Sequence, residues 1–120
     1  MNIPKVKYSD KILNSLSWFM SIGGLTLWPY IILREKYRDN KLYTKKVIIT
    51  INHESIHIKQ QQELLVLPFY LWYFIEWFLK LFIYGKRSYY EISFEREAYN
   101  NQDNLNYLKT RKWYSFLKYL

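Results

Sequence analysis

Between Leu64 and Tyr84 the chain places 18 apolar residues in 21, interrupted only by Pro68, Glu76 and Lys80. A run of that kind has to be covered, either by the rest of the protein or by lipid. Nine of its residues are aromatic, a density that belongs at a membrane interface or in a packed core rather than at the hydrocarbon centre of a bilayer. Glu76 and Lys80 stand four residues apart, so on a helix they pair on one face. Three readings follow from this segment: a core helix, a helix lying in the membrane plane, and a true span.

A second uncharged run, Ile12 to Leu33, is broken by Asn14, three serines, Gly23-Gly24, Thr26 and Pro29, which argues against a spanning helix. Lysines at 5, 7 and 11 ahead of it also give it a loose likeness to a secretory signal, but the run is too polar for an apolar signal core. With 120 residues and no cysteine, the chain suits one small domain and excludes disulfides and thiolate metal sites. Eighteen Lys and Arg against ten Asp and Glu leave +8, concentrated at the ends: +6 over residues 1–48, −2 over 49–103 and +4 over 104–120. Such basic ends attract anionic lipid or nucleic acid, or simply keep an apolar protein in solution. No zinc finger, glycine-rich phosphate loop or arginine tract supports nucleic acid, and we set it aside. The expected location is the cytoplasm, free or associated with a membrane, peripherally or integrally.

The pattern predicts a mainly α (α+β) fold, a single domain over 1–120 with a short β element. Leu25–Leu33 is β-rich, and Pro29 confines it to an edge strand or a bulge. Gly23-Gly24 separates it from a preceding short helix, and Asp39-Asn40 reads as a turn. A helix is expected over Val47–Val66, where His53, Ile56, His57 and Gln60 recur at helical spacing, with Pro68 kinking or ending it. The aromatic helix then runs to about Tyr84 and stops at Gly85. Further helices are expected over Glu91–Asn104, with Ser93 or an earlier residue as cap, and over Leu105–Tyr119.

Inside the first of these helices lies His53-Glu54-Ser55-Ile56-His57, an H-E-x-x-H pattern that uses both histidines of the protein. Chance places it in a chain of this length on the order of 0.3% of the time. Residues i and i+4 point the same way, so both imidazoles can reach one metal ion, while Glu54 lies beside the open coordination position. Zn2+ so held lowers the pKa of its water toward ~7, and a carboxylate general base makes hydroxide for attack on a peptide carbonyl. A third ligand has to be Asp or Glu: Glu63, Glu76, Glu91, Glu95, Glu97 and Asp103 are the downstream candidates. Helix geometry favours the Phe94–Tyr99 segment, where Glu95 shares its face with Glu91, Ala98, Tyr99 and Gln102. Glu97 lies about 200° around, so only one of the two serves.

An HExxH helix followed, after a helical insert, by Phe94-Glu95-x-x-Ala98 resembles the gluzincin metallopeptidases. The likeness is to the CAAX prenyl endopeptidase and HtpX heat-shock protease group and to minimal gluzincins similar to their catalytic cores. It covers His53–His57, Phe94–Tyr99 and, more loosely, the strand around Leu25–Leu33. The resemblance implies a zincin-like fold with His53, His57 and Glu95 as zinc ligands and Glu54 as general base. It further implies a peptide or protein substrate added along an edge strand. Those proteases usually continue with an Asp that supports a zinc-binding histidine; Tyr99 stands there in this chain, and a phenol can orient an imidazole or stabilise an oxyanion without replacing that charge. A small zinc metallopeptidase, acting at a membrane surface through the 64–84 helix, is one expectation. A non-catalytic zinc-containing interaction protein, membrane-associated through the same helix, is the other.

Overall fold

The computed structural model describes residues 5–16, 24–38 and 45–120. Its order is β1 (Lys5–Tyr8), α1 (Asp10–Leu16), β2 (Gly24–Leu27), β3 (Tyr30–Leu33), α2 (Lys45–Glu63), α3 (Leu67–Tyr84), α4 (Ser88–Glu91), α5 (Ser93–Asn101) and α6 (Tyr107–Thr110), with 3-10 turns at Glu35–Arg38, Gly85–Arg87 and Ser115–Tyr119. The fold is mainly α with a small three-stranded sheet, in agreement with the sequence. The turn expected at Asp39-Asn40 and the break at Gly23 lie outside the described residues.

The sheet order is β1-β3-β2, with β1 parallel and β2 antiparallel to β3. The expected edge strand is β2, at one side of the sheet, while β3 is central and Pro29 lies in neither strand and at no bulge. It sits in the two-residue turn between β2 and β3, where no ladder donor is needed. The central strand β3 buries Ile31, Ile32 and Leu33, and Ile31 and Leu33 form a core cluster with Val47 of α2. The edge strand β2 lies against α2. Gly24 makes this approach possible, since a Cβ there would stand 3.2 Å from Thr50 Cγ2 and from Leu33 Cδ2 and 3.4 Å from Glu54 Cγ.

Helix α2 begins two residues before its expected start and ends at Glu63, so Pro68 does not terminate it. Pro68 instead belongs to the first turn of α3, where its missing N–H costs nothing. The link between the two helices carries Leu65 and Val66 at φ 59° and 58°, the left-handed region that a β-branched residue rarely enters. α3 ends at Gly85, as expected, with Gly85 also left-handed at φ 58°. Its inner face packs Phe69, with Trp72, Tyr73 and Trp77, against Tyr89, Ile92, Phe94 and Phe116, the largest core cluster. Among the described residues no single helix is long and apolar enough to cross a membrane.

The helix expected over Glu91–Asn104 is split at Ile92, which is extended at ψ 134°. Glu76 causes the restart: one carboxylate oxygen accepts both the backbone N–H and the hydroxyl of Ser93, while the other accepts Lys80 at 3.1 Å. Ser93 thus spends its hydroxyl on Glu76 and caps nothing itself. The continuous helix expected over Leu105–Tyr119 is absent. Arg111 draws the chain inward to Glu63 and Glu97, and Tyr114, at φ 58°, gives its N–H to Glu63, leaving only α6 and a 3-10 turn.

Candidate metal centre

Near the middle of α2 the helix turns an unusual run of polar side chains inward, because α5 and β2 cover it from two sides. His53 and His57, one turn apart, are each about 5% exposed or less. Both Nε2 atoms lie 3.1 Å from Oε1 of Glu95, and the three donor atoms fall within 4.8 Å of one another. Among the described residues this is the one group of histidines and carboxylates with that geometry. It can hold a metal ion.

The second ring nitrogens fix what the first can do. Gln60 donates its amide nitrogen to the Phe94 carbonyl and to Glu97, which leaves its oxygen as acceptor for His57 Nδ1 at 2.7 Å. The oxygen of Gln102 stands 2.7 Å from His53 Nδ1 in the same way. With a proton on each Nδ1, the neutral rings direct Nε2 lone pairs at a carboxylate oxygen that also carries lone pairs. Three acceptors converging in a buried space repel one another unless a cation, a proton or a metal ion, lies between them.

The acid–base energetics describe the proton in that place. Burial drives the His57 imidazolium down, but the charge and hydrogen bond of Glu95, with Glu54 and Gln60 adding, outweigh it and raise His57 to about 9. Burial pushes the Glu95 carboxyl up, and the two histidines reverse this and hold it well below the usual carboxylate range. The other Glu95 oxygen accepts the hydroxyl of Tyr73 at 2.7 Å. Burial and then the Glu95 charge raise Tyr73 well above 10, so it remains a phenol and a donor.

Glu54 stands beside this group and outside it. Its carboxylate is 2.7 Å from the Thr26 hydroxyl on β2, and its other oxygen is 3.9 Å from His53 Nε2. Two cavities of about 440 Å³ each meet at Glu54, Gly24 and Tyr89. One is apolar, walled by Leu25, Leu27, Phe69, Phe74 and Trp77, and reaches His57 and Glu95. The other passes His53 and Tyr99 toward Lys45, Lys46 and Asp103. Together they form a cleft that runs past the ligand group along β2.

The remaining candidate carboxylates are employed elsewhere. Glu97, fully buried, faces away from the histidines and is held by Arg111, Gln60 and Tyr107; burial raises its carboxyl, and these donors bring it below the ordinary value. Glu63 takes both terminal nitrogens of Arg111 at 2.7 and 3.0 Å. Glu91 pairs with Arg87 at 3.6 Å, Glu76 caps α5, and Asp103 lines the outer cleft. Tyr99 packs edge-on against His53 with centroids 4.5 Å apart, and its hydroxyl lies 3.4 Å from that of Tyr89. The phenol therefore does not orient the imidazole by a hydrogen bond; Gln102 does.

Sequence reasoning did not assign Gln60, Gln102, Tyr73 or Thr26 to the site. For Gln60 a signal existed, since it follows His57 by three residues and must share its face. Tyr73 belongs to a stripe with Tyr70, Glu76 and Lys80 that marks the inward side of an otherwise apolar helix. Thr26 carried no local signal, because its contact with Glu54 spans 28 residues.

The open edge of β2 is partly taken. Gln61 accepts the N–H of Trp28 and donates to the carbonyl of Thr26, which also accepts the Tyr70 hydroxyl. All four residues of β2 line the cleft, and among the described residues these side-chain bonds fall at its Thr26–Trp28 end, away from Gly24 and Leu25. No protein-family model, curated protein or solved structure matches the chain.

Proposed function

We propose that the protein is a zinc-dependent peptidase in which His53, His57 and Glu95 are the ligands and Glu54 is the general base. The observation that carries this reading is the convergence of two Nε2 atoms on one Glu95 oxygen at 3.1 Å, with a second carboxylate just outside. Zinc bound at about 2.0–2.1 Å by nitrogen and oxygen separates tetrahedral ligand atoms by about 3.3 Å, close to these spacings. A donor set of two imidazoles and one carboxylate suits zinc and leaves one position open, the pattern of a catalytic rather than a structural site. Bound there, the ion would acidify water and polarise a carbonyl.

The chain's own residues supply the rest. Glu54, oriented by Thr26, takes a proton from the attacking water and returns it to the leaving amine. Tyr73 neutralises part of the Glu95 charge and fixes the ligating oxygen toward the histidines. Gln60 and Gln102 hold each ring in the Nδ1–H tautomer. Tyr89, at the meeting point of the two cavities and held neutral by burial, is the hydroxyl best placed to donate to a developing oxyanion. A peptide laid along the Gly24–Leu25 end of β2 passes Glu54 and places an apolar side chain in the aromatic-walled cavity.

Glu54→Ala tests the assignment. The variant is expected to keep its zinc and to lose cleavage of an unstructured peptide by about 10²-fold or more. Cleavage at the wild-type rate by a clean Glu54→Ala preparation would refute it.

A further inference from the structure

Helix α3 is oriented opposite to the helices of a water-soluble surface. At about 100° per residue, its two charged residues, Glu76 and Lys80, fall on the inward arc with Phe69, Trp72 and Tyr73. Glu76 is 7% exposed and is consumed by Ser93 and Lys80. The outward arc carries Leu67, Leu71, Ile75, Phe78, Leu79 and Phe82 with no polar residue among them, and Phe82 is 77% exposed. These six residues span about 120° of the helix, and exposed Phe74 and Leu81 beside them widen the apolar arc to about 160°. One partner helix covers a narrower stripe than that, whereas a continuous apolar medium wets all of it.

Charge selects the medium. The chain carries +8, which repels a second copy and attracts an anionic surface, and exposed Lys86 and Arg87 directly follow the apolar arc. The arc also borders the site. Phe74, 59% exposed, and Leu27, 39% exposed, both wall the apolar cavity that reaches Glu54 and His57. We infer that the outward face of α3 seats the protein in the plane of an anionic lipid bilayer, with the apolar cavity of the candidate site opening at headgroup level. This inference goes beyond the peptidase reading and does not depend on it.

The test is flotation of the full chain with vesicles of phosphatidylcholine containing about one third phosphatidylglycerol. Wild type is expected to float with the vesicles and to keep a lipid-bound fraction when about 0.5 M salt screens the basic residues. Phe78→Glu/Phe82→Glu, with wild-type melting temperature and metal content, is expected to lower vesicle binding about tenfold or more. Leu71→Glu, at a residue of the same arc that is 63% exposed, provides an independent second variant, expected to weaken binding in the same direction. Wild type that stays with the unbound protein, or charge variants that float as well as it does, would overturn the inference. Light scattering showing a lipid-free wild-type dimer that Phe78→Glu/Phe82→Glu converts to monomer would overturn it in favour of a second copy. Glu95→Ala is expected to float like wild type, so a failed docking surface and a failed metal site are read separately.

Discussion

Two carboxylates on the same short helix are expected to fail in opposite ways. Glu95→Ala and Glu97→Ala differ by two positions, and their side chains leave α5 in different directions: one toward the histidines, the other toward Arg111. Glu97 is fully buried and accepts from Arg111, Gln60 and Tyr107. Removing one partner of a buried ion pair costs about 3–5 kcal/mol, and the lower end applies here because Arg111 keeps its two bonds to Glu63. Unfolding entropy of about 2.1 cal/mol/K per residue gives a chain of 120 residues about 0.25 kcal/mol/K. A loss of about 3 kcal/mol then lowers Tm by about 12 °C. Differential scanning calorimetry on zinc-loaded protein, with zinc counted by plasma mass spectrometry, reads both quantities. Glu97→Ala is expected to melt early with its zinc retained below the transition, and Glu95→Ala to keep less than about a tenth of its zinc. Zinc loss in Glu97→Ala with retention in Glu95→Ala would refute the assignment of the third ligand.

The other expectations concern protons, support and packing. In the metal-free protein His57 is raised to about 9, so its pairing with Glu95 stabilises the fold below its ordinary value near 6.5 and is lost as the pH rises through about 9. A metal must displace that proton, so apparent zinc affinity should rise about tenfold per unit from about pH 7 to about pH 9; a flat titration with a competing chelator would contradict this. Gln102→Ala should weaken zinc about 10–100-fold with little change in Tm, whereas Gln60→Ala should lower both, since Gln60 also holds Glu97. Thr26→Val, which leaves Glu54 without its hydroxyl partner, should keep its zinc and lower kcat about tenfold. Gly24→Ala places a methyl 3.2 Å from Thr50 and Leu33 and should cost about 1 kcal/mol in urea denaturation while disturbing Glu54.

The candidate site is more legible in the sequence than the parts that hold it. Helical spacing alone brings His53 and His57 to one face, and the same rule puts Glu95 on the face of Ala98 and Gln102, where it meets them. Ala98 is fully buried and lets the two helices come close. What sequence periodicity does not reach is contact between distant segments. Arg111 finds Glu63 across 48 residues, and that one attraction breaks the amphipathic pattern of 105–119 into short turns. β1 escapes notice for a related reason: Lys5-Val6-Lys7-Tyr8 is short and half charged, and only its parallel pairing with β3 makes it a strand. The split at Ile92 depends likewise on Glu76, which lies 17 residues before Ser93 and on another helix. The missing donor of Pro29 does constrain its place, but a two-residue turn satisfies that constraint as well as a sheet edge does.

Gln60 gives the site a kinetic character. Because its amide is oriented by Phe94 and Glu97, His57 cannot rotate its ring without breaking a buried hydrogen bond, and the imidazole waits in its loading orientation. Small zinc domains fold around their ion, and stripping the metal dissolves them. Here the scaffold stands on the Phe94 and Phe116 core and on the Arg111 cluster, neither of which contains His53, His57 or Glu95. A metal bound there would thus be an exchangeable occupant of a finished chamber. Its uptake would be governed by passage through the cleft and by release of the His57 proton, and a chelated sample should keep its far-ultraviolet circular dichroism and reload without refolding.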